Sequence, residues 1–404
     1  MKQTARVVTL LSLSAATLLA SGYRIPEQSL NSVALSAAYV AGANGADASY
    51  YNPANMSFME NGAFTEVAMT YINLPKVDFS GTAPVAYSAD SKEEQFLMPN
   101  LHYVSPMVGN WRYGLSITAP AGLSKRWDET FPKASAEEFT LKVIEVNPTA
   151  SYLVNDNLSL GFGLRGVYTE GVIKQQQAGM YQNKMDADSI DFGYNLALSY
   201  KPIQDLTLAA TYRSKVNLTV SGDAETTLGG VNRSGGVSTH IPLPASLAVA
   251  AAYTMNKTTA EFVYERTYWS AYDSLDFQFD NANAEAALGV KRQKNWKDVN
   301  AYRIGVSHQY SDALKLMAGF AIDKTPTPDN TLGFELPDSD AKLYSVGFEY
   351  KLSQNLKMGL AYLYDVKEDR TVSNYNAATN QTGSTGTFSN SVAHLVTASF
   401  KYKF

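Results

Sequence analysis

The sequence predicts an all-β fold: a transmembrane antiparallel β-barrel of about fourteen strands, with its lumen plugged by an N-terminal hatch. Three observations lead there. The chain ends in a two-faced strand, it opens on an export signal with no apolar helix after it, and between these ends alternating segments are joined by loops of alternating length.

In the last strand Val392, Val396, Ala398, Phe400, Tyr402 and Phe404 point one way, while Ala393, Thr397, Ser399, Lys401 and Lys403 point mostly the other. A period of two with oil on one face and water on the other, ending on a C-terminal Phe, fits the closing strand of an outer-membrane barrel.

At the other end, Lys2 and Arg6 precede an apolar run from Val7 to Ala20 and then Ser21 and Gly22. This is the pattern of a secretory signal peptide, residues 1–20, with a cut expected after Ala20. The run is too short and wrongly flanked to span a membrane as a helix. No later stretch reaches eighteen apolar residues, so a spanning mature protein has to be a closed barrel, the other form that satisfies every backbone group in lipid.

Composition agrees. There are no cysteines, which removes disulfides, thiol catalysis and Cys-ligated metals. Charged residues make up 18%, below the usual quarter. Tyr, at 26, outnumbers Phe, at 17, which suits girdles where a ring needs one wet end. A net charge of −5 without a basic stripe argues against nucleic acid as a partner.

From about residue 63 the alternation repeats. Trp111, Tyr113, Leu115 and Ile117 alternate with Arg112, Gly114, Ser116 and Thr118; Leu158, Leu160, Phe162 and Leu164 alternate with Ser159, Gly161, Gly163 and Arg165. The same pattern recurs at 190–200, 206–220, 314–322, 344–352 and 356–366. Short polar turns at 155–157, 204–205, 311–312 and 353–355 read as periplasmic, and long loops near 74–94, 121–138, 171–188, 222–239, 278–297, 324–339 and 368–390 as extracellular.

The inward face carries Gly114, Gly161, Gly163, Gly193, Gly305, Gly319, Gly347 and Gly359. Glycine in a strand either relieves twist or lets another backbone approach, so these positions suggest a filled lumen. The filler is expected to be residues 21–62, ahead of a barrel over 63–404. This segment holds a small-residue run, 34–43, and an Asn52-Pro53 turn signal.

Several short motifs occur in order along the chain: Ser21-Gly22-Tyr23, Asn52-Pro53-Ala54, 99–103, 113–118 with Gly122-Leu123, and Asn147-Pro148 before 158–161. They continue with Tyr212-Arg213-Ser214, Lys297-Asp298, 301–303, 323–326 and 336–338. Together they resemble the FadL family of outer-membrane transporters for long-chain fatty acids and other hydrophobic compounds, including aromatic hydrocarbons. The resemblance implies a hatch carrying the Asn-Pro-Ala motif and a kinked third strand that opens a hole in the wall. It also implies capture of ligand in an apolar pocket and sideways exit into the membrane.

On that view Gly114 and Pro120, in a third strand over 111–122, mark the lateral gate, and Tyr23 caps the pocket or simply packs the hatch. Asn52, Pro53 and Ala54 are read as structural elements of the hatch. Inward parity puts Arg165, Arg213, Lys215 and Arg303 in the lumen, where they either bind a carboxylate ligand or pair with Asp191, Glu349, Asp365 or hatch residues. Glu170 stands where some relatives carry Arg, which keeps uncharged hydrocarbons open as cargo.

The expected partners are a hydrophobic small molecule, outer-membrane lipid and lipopolysaccharide, and the barrel-assembly machinery through Phe404. No cofactor or metal is expected, since His102, His240, His308 and His394 lack ligand spacing and read as solvated or interfacial. No nucleophile elbow suggests an enzyme. The competing readings are a general diffusion porin, a lipid hydrolase and an adhesin.

Overall fold

The computed structural model describes residues 22–83, 86–373 and 385–404; the expected leader lies outside the described residues. The barrel strands are β1 Phe64–Leu74, β2 Glu94–Val104, β3 Trp111–Arg126, β4 Glu138–Asn155, β5 Leu158–Gln177 and β6 Tyr181–Ile203. β7 is Leu206–Arg213 continued by Val216–Leu228, and β8 is Val231–Leu243 continued by Ser246–Met255. There follow β9 Thr258–Thr267, β10 Val299–Gln309, β11 Leu314–Asp323, β12 Ala341–Lys351, β13 Leu356–Lys367 and β14 Val392–Lys403. Neighbours pair antiparallel, and β14 closes on β1 from Phe64↔Lys403 to Asn73↔His394, giving a closed barrel of fourteen strands.

Alternation sets which face is which. Along β5, Leu160, Phe162 and Leu164 are exposed on the outside, while Ser159, Gly161 and Arg165 are buried inside. An apolar exterior and polar interior is what a lipid-spanning barrel requires.

Several expected long loops turn out to be strand. β5 and β6 stay paired out to Gln177↔Tyr181, and the two halves of the next hairpin out to Leu228↔Val231. The third strand likewise runs to Arg126 rather than ending at 122. Their alternation weakens where the sequence turns polar, but backbone pairing continues. Above the barrel, Asp78–Ala83, Tyr87–Asp90, Arg370–Ser373 and Thr385–Ser389 form a separate four-stranded sheet. It encloses Phe79, Trp127, Phe334 and Phe388.

The segment ahead of β1 is almost wholly buried. Ser29 caps the short helix Leu30–Ala34, and Pro53 starts the 3-10 turn Pro53–Phe58, where its missing N–H costs nothing. Six of the eight inward glycines face this segment from around the wall, whereas Gly163 and Gly193 meet barrel side chains, Asn195 and Thr149 at the first and Val216 and Ser214 at the second. A Cβ on Gly161 would stand 2.5 Å from Ala54 N, and one on Gly319 2.1 Å from Leu35 C. Gly114, Gly305, Gly347 and Gly359 approach Met56, Ala38, Ala34 and Leu30 in the same way. A segment touching inner faces on opposite sides of the barrel fills its lumen.

Gly319→Val should therefore overpack this contact, costing about 1–3 kcal/mol. The expected readout is flickering ion conductance in planar bilayers where the wild type is silent. A silent variant of unchanged stability would show that the contact is not tight.

Two joints hold the segment. Fully buried Arg112 on β3 uses all five N–H donors on carbonyls: Ser105 at 2.7 Å, Met56 and Met59 at 3.0 Å, Glu60 at 2.9 Å and Gly62 at 2.7 Å. On the far side the Glu261 carboxylate of β9 accepts Val40, Ala41 and Gly42 N–H at 2.6, 2.7 and 2.9 Å.

Candidate ligand pocket and wall opening

The wall is incomplete at one place. β1 and β2 pair over their whole length, from Phe64↔Val104 to Leu74↔Glu94. β2 and β3 pair only from Val104↔Gly114 to Leu101↔Ile117. Beyond Ile117, β3 keeps its ladder with β4, with an irregularity between Thr118↔Glu145 and Ala121↔Val143. It meets the chain leading into β2 again only at its end, where Ser91 bridges Trp127 and Lys92 N–H donates to Arg126 O at 2.9 Å. Pro120 lies inside that irregularity and cannot donate to a ladder.

Gly114, expected at the gap, instead sits in the paired stretch, its inner face against Met56 and Ser49. Its parity gave the inward face correctly but not the position of the break. β3 runs six residues past Pro120, to Arg126.

The edge of β3 left by β2 is taken up by residues 23–28. Ile25 N–H donates to Pro120 O at 2.9 Å, Gly122 N–H to Tyr23 O at 2.9 Å, and Arg24 bridges Ala121 antiparallel. The Gln28 side chain adds a two-point contact to Ala119, Nε2 to O at 2.9 Å and N–H to Oε1 at 2.8 Å.

Tyr23 also faces the other way, into an aromatic box. Its ring centroid lies 4.7 Å from Trp269, 5.7 Å from Trp296 and 6.1 Å from Tyr272, and its hydroxyl donates to Pro242 O. Leu123, Phe139, Leu141 and Ile241 complete the box, with the Lys294–Glu335 ion pair at its edge. Phe139, Leu141 and Ile241 are shared with an apolar cleft that continues along Ile173, Met185, Val220 and Phe277. The free space is about 30 Å³ in the cleft and about 20 Å³ in the box. That is room for one or two waters, not a hydrocarbon chain, unless Tyr23 moves.

The cations expected in the lumen are committed elsewhere. Arg165 meets Glu145 at 2.8 Å and Ser214 O at 2.6 Å. Arg213 pairs with the same Glu145 and lies over the Tyr50 ring at 4.3 Å. Arg303 meets Asp323 at 3.0 Å and Glu265 at 3.8 Å, and Glu265 is held by Arg24 at 2.8 Å. Their carboxylates are thus Glu145, Asp323 and Glu265, not Asp191, Glu349 or Asp365. Lys215 is exposed rather than luminal. The break between the two halves of β7 shifts the inward register from Arg213 to Val216, and Lys215 turns out with it.

The Asn-Pro-Ala motif is likewise spent on packing. Asn52 Nδ2 donates to Val40 O at 2.9 Å and Ser199 Oγ at 2.8 Å, and Ala54 O accepts Ser159 Oγ at 2.8 Å.

The family described as outer membrane protein transport protein (OMPP1/FadL/TodX) matches residues 11–404. The chain belongs to this family. It is a β-barrel protein of the outer membrane. It is 27% identical over 363 residues to the long-chain fatty acid transport protein of Escherichia coli K12, covering 78% of this chain and 80% of that one. It is 22% identical over 352 residues to outer membrane protein P1 of Haemophilus influenzae, covering 76% and 75%. In fold it resembles a Pseudomonas aeruginosa FadL homologue, with a TM-score of 0.82, 18% identity and coverage of 95% and 100%. It also resembles the Ralstonia pickettii toluene transporter TbuX, with a TM-score of 0.70, 18% identity and coverage of 93% and 98%.

Within this FadL-type barrel, the sequence reading missed Gln28, Arg112, Trp269, Tyr272 and Trp296. The two tryptophans fall in irregular stretches, where alternation says nothing. His102, read as solvated or interfacial, is buried beneath the gap, with Nε2 2.8 Å from Gln28 O and Nδ1 3.1 Å from Ser116 Oγ.

Proposed function

We propose that the protein takes up long-chain fatty acids or other hydrophobic compounds passively, holding them in the apolar cleft and releasing them through the β2–β3 gap. The observation that carries this is the double commitment of Tyr23: the ring fills the box that ends the cleft while the backbone closes the edge of β3. A ligand that displaces the ring from the cleft loosens the closure of the wall in the same movement. Such a route never returns an apolar molecule to water, where the hydrophobic effect penalises it. Each methylene buried along it gains about 0.8 kcal/mol.

In this reading residues 1–20 are a leader removed after Ala20, 21–62 form the hatch, and 63–404 form the barrel. The exposed C-terminal Phe404, its ring 4.8 Å from Tyr402, is what the assembly machinery recognises, and the surrounding partners are lipid and lipopolysaccharide. The protein is a carrier and not an enzyme.

A second reading, uptake of aromatic hydrocarbons, is favoured by the neutralisation of Arg165, Arg213 and Arg303, which leaves none of these three free to anchor a carboxylate. Extraction and mass spectrometry of co-purifying lipid separates the two. Trp269→Ala is expected to weaken binding of the extracted compound by roughly tenfold, about 1.4 kcal/mol. Full affinity in that variant would remove the box from the pathway.

A further inference from the structure

Where the β2–β3 ladder stops, at Leu101↔Ile117, the next residues on the two strands are Asn100 and Thr118. They share the inward parity of His102 and Ser116, the last inward pair of that ladder, and are only 2% and 1% exposed. Asn100 Nδ2 and Oδ1 and Thr118 Oγ1 have no hydrogen-bond partner among the described residues.

Most other polar groups beside them are committed. Asn147 Oδ1 on β4 and Glu66 Oε2 on β1 also lack a hydrogen bond among the described residues, but both are acceptors and offer a carboxylate nothing. His102 is bonded to Gln28 O and Ser116, Ser116 to Ser49 at 2.7 Å, and the Gln28 amide to Ala119. On β1 the cross-strand neighbour of Asn100 is Ala68, which offers no polar group. Buried amides and hydroxyls are rarely left unpaired, because their lost hydration is not compensated. Two such groups standing where the wall splits mark a polar place on an otherwise apolar way out.

We propose that Asn100 and Thr118 form a threshold that hydrogen-bonds the carboxyl group of a long-chain monocarboxylic acid as it passes through the wall. The amide and the hydroxyl each supply a donor for an ionised carboxylate, and Asn100 Oδ1 accepts the O–H of a protonated one. A hydrocarbon of the same length leaves both groups unpaired and is disfavoured there, as in any site built to bond a polar substituent. The lumen arginines are neutralised by Glu145, Asp323 and Glu265, and the buried Lys125 stands seven residues beyond Thr118 on β3, bonded to Ser91 Oγ at 3.3 Å. At the split itself, recognition of the head group therefore falls on these neutral groups. The inference rests on the sideways exit proposed above.

The test compares uptake of oleate and 1-octadecene by cells in which the full-length protein is the sole carrier. The wild type is compared with N100L/T118V, and heat-modifiable mobility of the variant establishes a folded barrel. The wild type should prefer oleate. The variant should lose about tenfold of the oleate rate while its octadecene rate does not fall and its oleate affinity in detergent stays within about twofold. A preference that survives in the variant, equal loss of both cargoes, or no preference in the wild type overturns the threshold. A wild type that carries neither compound overturns the uptake reading itself.

Discussion

Deleting residues 23–61 should turn the protein into an ion-conducting pore, with conductance at least tenfold above wild type at the same protein concentration. A barrel of about eight strands is just filled by its own side chains, and one of sixteen leaves an aqueous channel. Fourteen strands lie near the open limit, and the glycines at 114, 161, 305, 319, 347 and 359 widen the bore further where they face the hatch. Below the hatch there is already a polar vestibule of about 620 Å³, lined by Lys201, Asp205, Lys257, Lys315 and Glu349. What separates it from the apolar cleft is hatch: the small-residue run held by Glu261 and the turn held by Arg112. Removing both exposes Glu66, Glu145, Glu261 and Arg303 to water, a lumen no hydrophobic collapse can close. Arg112→Ala makes the same point more mildly, since it strands the carbonyls of Met56, Met59, Glu60 and Gly62, and it should give intermittent openings. If the deletion variant assembles and stays silent, the seal lies in the extracellular sheet and not in the hatch.

The difference between what the sequence conveyed and what it hid is a matter of range. Alternation is local, so the two faces of β3, β5 and β14 could be read directly, and so could the glycines, whose inward parity and cost in a strand together imply a neighbour. The ion pairs are not local. Arg165 and Glu145 meet because β4 and β5 are in register at Glu145↔Val167, and no pattern within either strand fixes that register. Lys215 shows the limit of parity itself: one break after Arg213 reverses every later side chain of the strand. The aromatic box is less legible still, because Tyr23, Trp269, Tyr272 and Trp296 converge from the hatch and irregular loops. The wall opening was half visible. Pro120 signalled that pairing fails, but only the folded structure shows that Tyr23, Ile25 and Gln28 take up the abandoned edge.

Deleting Pro120 alone should abolish uptake while sparing the barrel. Between the pairs Thr118↔Glu145 and Ala121↔Val143, β3 advances from 118 to 121, three residues, while β4 moves from 145 to 143, two residues. β3 therefore carries one residue more than its partner, and a strand with such an excess bends and twists locally. Removing Pro120 equalises the count against β4 and leaves Ala121↔Val143 and every later β3–β4 pair as they are, while on the other edge the short contact of Ser91 and Lys92 with Trp127 and Arg126 shifts by one residue. The straightened strand then presents an N–H or C=O at each position to β2, whose edge from Glu94 to Asn100 has no ladder partner on β3 and touches it only where the Glu94 carboxylate meets Ser124 and Arg126. Six or seven added ladder pairs, each backbone hydrogen bond contributing about 0.5–1.5 kcal/mol net, outweigh the few contacts through which residues 23–28 hold the edge now. The gap closes, and the first hatch residues are displaced from it. Uptake of oleate or hydrocarbon should fall to background, while heat-modifiable migration and resistance to detergent match or exceed wild type. Wild-type uptake in this variant, with the barrel intact, would mean that cargo leaves through the hatch and the vestibule beneath it instead of through the wall.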